Sequence, residues 1–367
     1  MRVPLIALLT AMLFVAIGSS AQPPAKNKAD VKAKNDAAPE SEFDLKFKVT
    51  DLALGTHVMG PKVTENELKG HVVLVDYWGV NCGPCRQAMP ATAALNSELA
   101  EFGLTIVGSH VQEATVQQIK SVAGSLGANF SISIQSRVKN ANFTGIPHCI
   151  LFDHTGACIF RGLPANAEPA IRIAVGKALV EGSGRDKFSS TVSTIAQDLK
   201  KGKSPSLVLP RLVALQNSAG DVGTEAKALL GSMTANGQSK FEQAEGMAES
   251  NPIGAFFLIE KLPVIFKGTE LAKKMSAMIV KLKKEKSVTA EIAARPSLEV
   301  VRKIDFQLDS ILDQNPNVKR EEVLKANSQL LKQMKEKMSA MKKSWPDAKA
   351  TEEALAIAQK FDIKFEK

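Results

Sequence analysis

The sequence predicts an α/β domain followed by an all-α domain. Between residues 43 and 183, short β-branched runs alternate with stretches of helical periodicity. After residue 183 the strand signals disappear, and Ala, Leu, Lys, Glu and Met dominate. The chain of 367 residues is also long enough to build two substantial cores. We therefore expect residues 43–183 and residues 184–367 to form separate domains.

The first 42 residues are expected to precede the folded part. Residues 1–21 combine a basic start at Arg2, an apolar stretch and a small-residue exit, which is typical of a cleaved signal peptide. The alternative is an N-terminal membrane anchor, but the apolar stretch is shorter than the ~20 residues that a spanning helix needs. Residues 22–42 are rich in Lys, Ala, Pro and Asp and are predicted to be a disordered linker. We expect an exported protein, soluble after signal cleavage, in the periplasm or cell envelope.

The α/β domain is predicted to have the element order β-α-β-α-β-β-α. Its first strand, Val72-Val73-Leu74-Val75, is apolar on both faces, as in the centre of a largely parallel sheet. The following elements are a helix from residue 82 to 102, a strand at 104–108, a helix at 113–126, an antiparallel hairpin at 148–162 and a helix at 166–180. Pro90 is expected to kink the first of these helices.

Asp76 ends the first strand, where a charged carboxylate would be costly to bury. Three explanations are open. The carboxylate could be stabilised by hydrogen bonds, it could have a raised pKa and handle protons, or it could lie at a strand end that touches solvent.

Cys82 and Cys85, with two residues between them, stand at the start of the first helix. A helix start offers unpaired N–H groups and the positive end of the helix dipole, both of which stabilise a thiolate. We therefore predict that Cys82 is a nucleophile and Cys85 its more shielded resolving partner. Gly83 and Pro84 constrain the loop between them. A disulfide between them would close a very short loop, which constrains the unfolded chain little and so adds little stability.

The other two cysteines, Cys149 and Cys158, lie within the predicted hairpin, nine residues apart. A zinc site that used Cys82 and Cys85 would need a second pair of ligands at a similarly short spacing. Cys149 and Cys158 are too far apart for that, so no metal site is expected. A second disulfide requires a register that brings both side chains to one face. Two buried free thiols are the commoner state of such cysteines.

The stretch DYWGVNCGPC at residues 76–85 resembles the active-site signature of thioredoxins, and Gly145-Ile146-Pro147 resembles their cis-proline loop. The upstream stretch at residues 51–70 is similar to exported thiol-disulfide oxidoreductases of the TlpA/ResA (redoxin) type. The resemblance covers residues 43–182 and implies a thioredoxin-like fold.

This resemblance also implies roles for individual residues. Cys82 would attack the partner's disulfide, Cys85 would resolve the mixed disulfide, and Asp76 would exchange protons with the resolving thiol. Pro147 would dock the partner's backbone. The residues expected to line the partner groove are Trp78, Asn81, Gly83, Pro84, Ile146 and His148.

Two positions depart from the family's pattern. Asn81 stands where a Trp usually precedes the first cysteine, and His148 replaces the customary Thr after the cis-proline. Both lie near the expected groove, so partner choice and redox potential should depend on them. His148 is either a tuner of the Cys82 thiolate or an ordinary residue at a strand start.

Beyond residue 183 the chain carries 31 Lys plus Arg against 23 Asp plus Glu. Its basic residues alternate with Glu and lack aromatic neighbours, which favours a solvated helical surface over nucleic-acid binding and leaves weak membrane-surface association as an alternative. Three stretches echo one another by placing Thr224, Thr269 and Thr351 as N-caps ahead of a Glu. Their spacing favours either a tetratricopeptide-like array or an irregular helical domain.

We therefore expect thiol-disulfide exchange with protein thiols or disulfides, in the direction of reduction. An upstream electron donor or acceptor protein is implied, and no cofactor. Two alternatives remain. One is a helical-repeat interaction protein that uses the α/β domain for docking, and the other is a redoxin that reduces peroxides. The second lacks the Pro-x-x-x-Thr/Ser-x-x-Cys frame of peroxiredoxins, because Tyr77 to Asn81 precede Cys82.

Overall fold

The computed structural model describes residues 44–363, which belong to one compact unit. The predicted signal peptide and linker lie outside the described residues. Within residues 44–363, no helix combines the length and apolarity needed to cross a bilayer.

The described chain contains eight strands and fourteen α-helices. The strands are β1 (Leu52–Ala53), β2 (Thr56–Met59), β3 (Val72–Trp78), β4 (Leu104–His110), β5 (Ser131–Ile134), β6 (Arg137–Val138), β7 (His148–Phe152) and β8 (Cys158–Gly162). The helices up to residue 247 are α1 (Glu65–Leu68), α2 (Gly83–Leu99), α3 (Val116–Ser125), α4 (Pro164–Glu181), α5 (Ser190–Lys200), α6 (Pro205–Leu215) and α7 (Gly220–Met247). They are followed by α8 (Pro252–Ile259), α9 (Leu262–Ile265), α10 (Glu270–Leu282), α11 (Lys286–Gln314), α12 (Arg320–Ala326), α13 (Ser328–Ser344) and α14 (Lys349–Gln359).

Six of the strands form one sheet in the order β2-β5-β4-β3-β7-β8. Strands β3, β4 and β5 run parallel, whereas β7, β8 and β2 join by antiparallel pairing. The predicted hairpin is confirmed, but the prediction of a largely parallel sheet is wrong, because the sheet is mixed. Strands β1, β2, β5 and β6 were not predicted, since they are two to four residues long and too short to show a clear periodicity.

The sheet separates two apolar cores. Alternate residues of β3 point to opposite faces, so Val72, Leu74 and Trp78 face one core while Val73, Val75 and Tyr77 face the other. The first, which we call the main core, includes residues of α2, α4 and every helix from α5 to α10. The second, the back core, consists of Leu52, Leu68, Val73, Val75, Tyr77, Val138, Ile150, Phe152 and Cys158.

The main core runs without a break from the sheet into the helical half. Phe102, just after α2, packs edge-on against Phe266, just after α9, with ring centroids 6.0 Å apart. Gly176 of α4 allows the end of α5 to approach closely, because a Cβ there would overlap the carbonyl of Leu199. The predicted boundary near residue 183 thus marks a change of secondary structure, while buried apolar contacts cross it. As a boundary between autonomous domains it stays a prediction.

Helices α11, α13 and α14 enclose a separate C-terminal core, which includes Met334, Met338 and Met341. These methionines are buried. Of the three predicted N-caps, Thr269 is confirmed, since its side chain accepts the N–H of Ala272 at 3.1 Å. Thr224 and Thr351 lie inside α7 and α14, which begin at Gly220 and Lys349, so both predictions are wrong. At the start of α14, Glu291 of α11 accepts the N–H of Ala350, ahead of Thr351.

Candidate functional site

Cys82 and Cys85 are joined by a disulfide where β3 passes into α2. Cys82 is the N-cap of α2, as predicted, and its sulfur accepts the backbone N–H of Cys85 at 3.2 Å. The first turn of α2 contains no acidic residue, so the positive end of the helix acts on Cys82 without a local opposing charge. Cys82 is 7% exposed and Cys85 3%. The sulfur pair therefore lies just below the surface.

The residues around the disulfide differ in exposure. Asn81, Gly83 and Pro84 are exposed, as expected of residues that line a partner groove. Trp78 is 1% exposed and packs edge-on against His110, with ring centroids 5.1 Å apart. Trp78 thus lies beneath the loop, where it supports the disulfide and is not open to a partner.

Asp76 is 5% exposed and projects to the face of β3 that carries Leu74 and Trp78, which is also the face covered by α2. Burial raises the pKa of this carboxyl to about 7. Of the three explanations offered by the sequence, the burial of Asp76 excludes a strand end that touches solvent and favours the raised pKa, while proton handling stays a prediction. A carboxyl that titrates near neutrality can give or take a proton under physiological conditions.

The Ile146–Pro147 peptide bond is cis and leads directly into β7. Tyr77 pairs with His148 in the antiparallel register of β3 and β7. The next position along β3 is Trp78 and the preceding one along β7 is Pro147, so the proline lies at the strand end from which the Cys82 loop departs. Ile146 beside it is half-buried. The structure thus brings the dithiol and the predicted proline loop to one edge of the sheet.

His148 projects to the opposite face of the sheet from α2, because it is paired with Tyr77, a member of the back core. Its ring stacks on Phe143 at a centroid distance of 4.6 Å. Burial, followed by the charge of Arg161, lowers the pKa of His148 to about 4, so the ring is neutral at pH 7. This position favours a packing role at the strand start over the predicted tuning of the Cys82 thiolate.

Cys149 and Cys158 are buried free thiols. Cys149 is the register partner of Asp76, whereas Cys158 pairs with Phe152 of the back core. The two thiols therefore lie on opposite faces of the sheet, and the alternative of a second disulfide is wrong. Burial raises the pKa of Cys149 well above its usual value and that of Cys158 to about 11, so both are protonated at neutral pH. Between residues 44 and 363, no group of three or more His, Cys, Asp or Glu side chains is placed to hold a metal ion.

Two polar residues of the site were not found from the sequence. His110 ends β4 and Gln112 follows it, and both reach the loop before Cys82. They belong to no recognisable motif. Their one sequence signal is their place at the carboxyl end of a strand that runs parallel to β3. The carboxyl ends of parallel strands meet at the same edge of a sheet, so side chains there lie near the residues that follow β3.

No protein-family model matches the chain. The chain is 30% identical over 109 residues to the thioredoxin-like protein YneN of Bacillus subtilis, a match that covers 29% of this chain and 64% of YneN. It is 28% identical over 116 residues to the thiol-disulfide oxidoreductase ResA of Bacillus thuringiensis, covering 31% of this chain and 63% of ResA. The chain thus spans less than two thirds of the length of either relative.

A solved structure of a thioredoxin-family thiol:disulfide interchange protein from Chlorobium tepidum is 24% identical. The match covers 34% of this chain and 93% of that protein, with a TM-score of 0.31. The predicted resemblance to ResA-type proteins is confirmed for the α/β half by the two curated relatives.

Proposed function

We propose that this chain, whose α/β half is a thioredoxin-like segment of the ResA type, is an exported thiol-disulfide oxidoreductase. The observation that carries the proposal is the Cys82–Cys85 disulfide at the start of α2. Its two sulfurs can alternate between bonded and free states within one helical turn, next to a strand end that carries a buried carboxyl.

The reaction begins with the reduced pair. The Cys82 thiolate attacks one sulfur of a partner's disulfide, a mixed disulfide forms, and the partner's other sulfur leaves as a thiolate that takes up a proton. Cys85 then loses its proton and attacks the Cys82 sulfur. The Cys82–Cys85 disulfide forms, and the partner departs with both of its sulfurs reduced. Two electrons pass from the protein to the partner, and an upstream donor protein restores the dithiol.

Three features support this sequence of steps. The positive end of the α2 dipole, with no acidic residue in the first turn to offset it, favours the thiolate of Cys82 over its thiol. Cys85 is the less exposed of the two cysteines, which suits a resolving role. Asp76, with a pKa of about 7, is suited to accept the proton that Cys85 must lose.

The helical half is proposed to hold or select the partner proteins. Helix α11 reaches the start of α3, where Gln117 donates to Asp309 at 2.5 Å. Helix α3 follows the loop that carries Gln112, so α11 contacts the helix that adjoins this loop in sequence. The basic excess of residues 184–367 would add weak attraction to acidic partners or to an anionic membrane surface.

Replacing Cys85 by Ser tests the proposal. The variant should accumulate mixed disulfides through Cys82, because the resolving thiol is missing, and these should appear as higher-mass species on non-reducing gels. Adding Cys82→Ser should abolish them, and Cys158→Ala should leave exchange unchanged, because that thiol is buried on the other face. Binding of partners without any mixed disulfide would favour docking instead. The reduction potential of the Cys82–Cys85 couple, measured beside its activity, sets the direction of exchange.

A further inference from the structure

The loop between β3 and Cys82 is held by an unusual set of hydrogen bonds. The N–H of Val80 donates to Nε2 of His110 at 3.2 Å, and the N–H of Asn81 donates to Oε1 of Gln112 at 2.9 Å. On either side, Val111 N–H donates to the carbonyl of Trp78 at 3.0 Å and Cys82 N–H donates to that of Gly79 at 3.1 Å. The backbone pairing of β3 with β4 ends at Trp78 and His110. Beyond that point, the side chains of His110 and Gln112 take over as acceptors for the backbone N–H groups of the loop.

The His110 ring is suited to this role by its surroundings. It is fully buried and packs edge-on against Trp78. Because Nε2 accepts a hydrogen bond, the neutral ring must carry its hydrogen on Nδ1. Burial lowers the pKa of His110, which favours the neutral ring and hence the acceptor. Among the described residues, Nδ1 has no hydrogen-bond partner, so the bond from Val80 is the one hydrogen bond of this ring.

Gln112 depends on the absence of a side chain at residue 79. A Cβ on Gly79 would overlap Cγ, Cδ and Oε1 of Gln112, whose side chain crosses the space that Gly79 leaves open. Any larger residue at this position would push Gln112 away from Asn81. Gly79 and Gln112, which lies in the loop after β4, are therefore matched to each other.

We propose that His110 and Gln112 are positioning residues of the dithiol, which fix the backbone of Val80 and Asn81 and thereby place the Cys82 sulfur at the start of α2. This inference rests on the proposed function and adds to it the groups that set nucleophile geometry. Asn81 is exposed and stands beside Cys82, so its bond to Gln112 also fixes one of the two residues that depart from the family's pattern. Fixing the loop before the partner arrives lowers the entropy lost in the reaction.

A double-mutant cycle tests the matched pair. Gln112→Ala removes the acceptor, and Gly79→Ala displaces it. Each should lower the rate at which the reduced full chain reacts with oxidised glutathione by about tenfold. Each should also raise the pKa of Cys82, read from the pH profile of its alkylation by iodoacetamide, by about half a unit or more. The double variant should be no slower than Gln112→Ala alone, because the overlap disappears with the side chain.

Gln87→Ala, at an exposed glutamine of α2, is the matched control and should change neither quantity. Independent, additive effects of Gly79→Ala and Gln112→Ala would overturn the matched pair. An unchanged Cys82 pKa in Gln112→Ala, with wild-type exchange intact, would overturn the positioning role. A wild-type chain that alkylates normally but does not react with disulfides would overturn the proposed function instead.

The His110 contact is tested first in the wild-type chain and then by one substitution. In ¹⁵N spectra of the wild-type chain, His110 should be the Nδ1–H tautomer, and the Val80 and Asn81 amides should exchange with solvent far more slowly than the exposed Gly83 amide. An Nε2–H tautomer, or unprotected Val80 and Asn81 amides, would contradict the proposal. His110→Phe, which keeps a ring against Trp78 but has no acceptor, should reproduce the Cys82 pKa shift of Gln112→Ala.

Discussion

At the scale of single residues, the site depends on groups that are costly to bury. Asp76 and His110 both lie on the face of the sheet that α2 covers, and burial shifts both toward their neutral forms. The raised pKa of Asp76 suits the proton transfer proposed for it, and the neutral ring of His110 can accept the hydrogen bond of Val80. The same physical cause thus supports the proposed chemical role of one residue and the proposed positioning role of the other.

Asp76→Asn should stabilise the oxidised protein at pH 8. Since the pKa of Asp76 is about 7 when folded and about 4 when unfolded, the wild type loses stability as the pH rises from 4 to 7. The gain from Asn should approach about 4 kcal/mol above pH 7 and vanish below pH 4. Urea unfolding across this range measures it. A gain that grows toward low pH would contradict the assigned shift.

The same substitution should slow disulfide exchange. Without a carboxyl to accept the proton of Cys85, resolution of the mixed disulfide at pH 7 should fall by at least about tenfold. Stopped-flow measurement of the second step separates this effect from the attack by Cys82, which should change much less. An equal loss in both steps would point to a general disturbance of the site.

At the scale of elements, two buried glutamates organise the helical half. Glu225 of α7 accepts the N–H and hydroxyl of Ser189, the N-cap of α5, at 2.8 and 2.6 Å. Glu291 of α11 accepts the N–H of Ala350, at the start of α14, at 3.0 Å. The sequence placed Glu225 in the first turn of its own helix. The structure shows that it caps a different helix, 36 residues away.

Glu225→Ala should lower the free energy of unfolding by about 1–3 kcal/mol, because two donors at the start of α5 lose their partner in a buried setting. Glu245→Ala is the matched control, since Glu245 is exposed on the same helix and should change stability by less than about 0.5 kcal/mol. Chemical denaturation gives both values. Equal effects would show that the cap contributes nothing.

The element predictions also show where sequence patterns suffice. The central strand, α2, the hairpin and α4 follow from long apolar runs, and all are present. The short strands β1 and β6 exist because they pair with each other, Leu52 with Val138 and Ala53 with Arg137. Two residues carry no periodicity, so such a pair is visible only once the chain has folded.

At the scale of the whole molecule, the main core joins the dithiol fold to the helices that follow it. The buried apolar residues of the sheet, α2 and α4 form one continuous core with those of α5 to α10. The C-terminal core of α11, α13 and α14 is separate. Function and stability of the α/β half should therefore depend on residues well beyond the predicted boundary.

Phe266→Ala, in the helical half, should destabilise the entire protein by about 3–5 kcal/mol, because Phe266 is fully buried against Phe102. In a Trp345→Phe background, Trp78 fluorescence and helical circular dichroism should report one coincident transition, shifted to lower temperature. Val264→Ala, two residues away and 80% exposed, is the control and should leave that transition unchanged. Separate transitions for the two signals would establish two autonomous domains.

The sequence by itself determined which residues are the candidates for the proposed chemistry. Cys82, Cys85 and Asp76 are consecutive features of one strand-to-helix passage, and local forces, namely apolar runs, helix starts and buried charge, act over such short distances. The tertiary structure alone decided which faces the side chains share, and so separated Cys149 from Cys158 and turned His148 away from α2. It also brought His110 and Gln112 to the loop before Cys82. These relations depend on strand register, within the β7–β8 hairpin for the two thiols and between more distant strands for the rest, and no local pattern specifies that register.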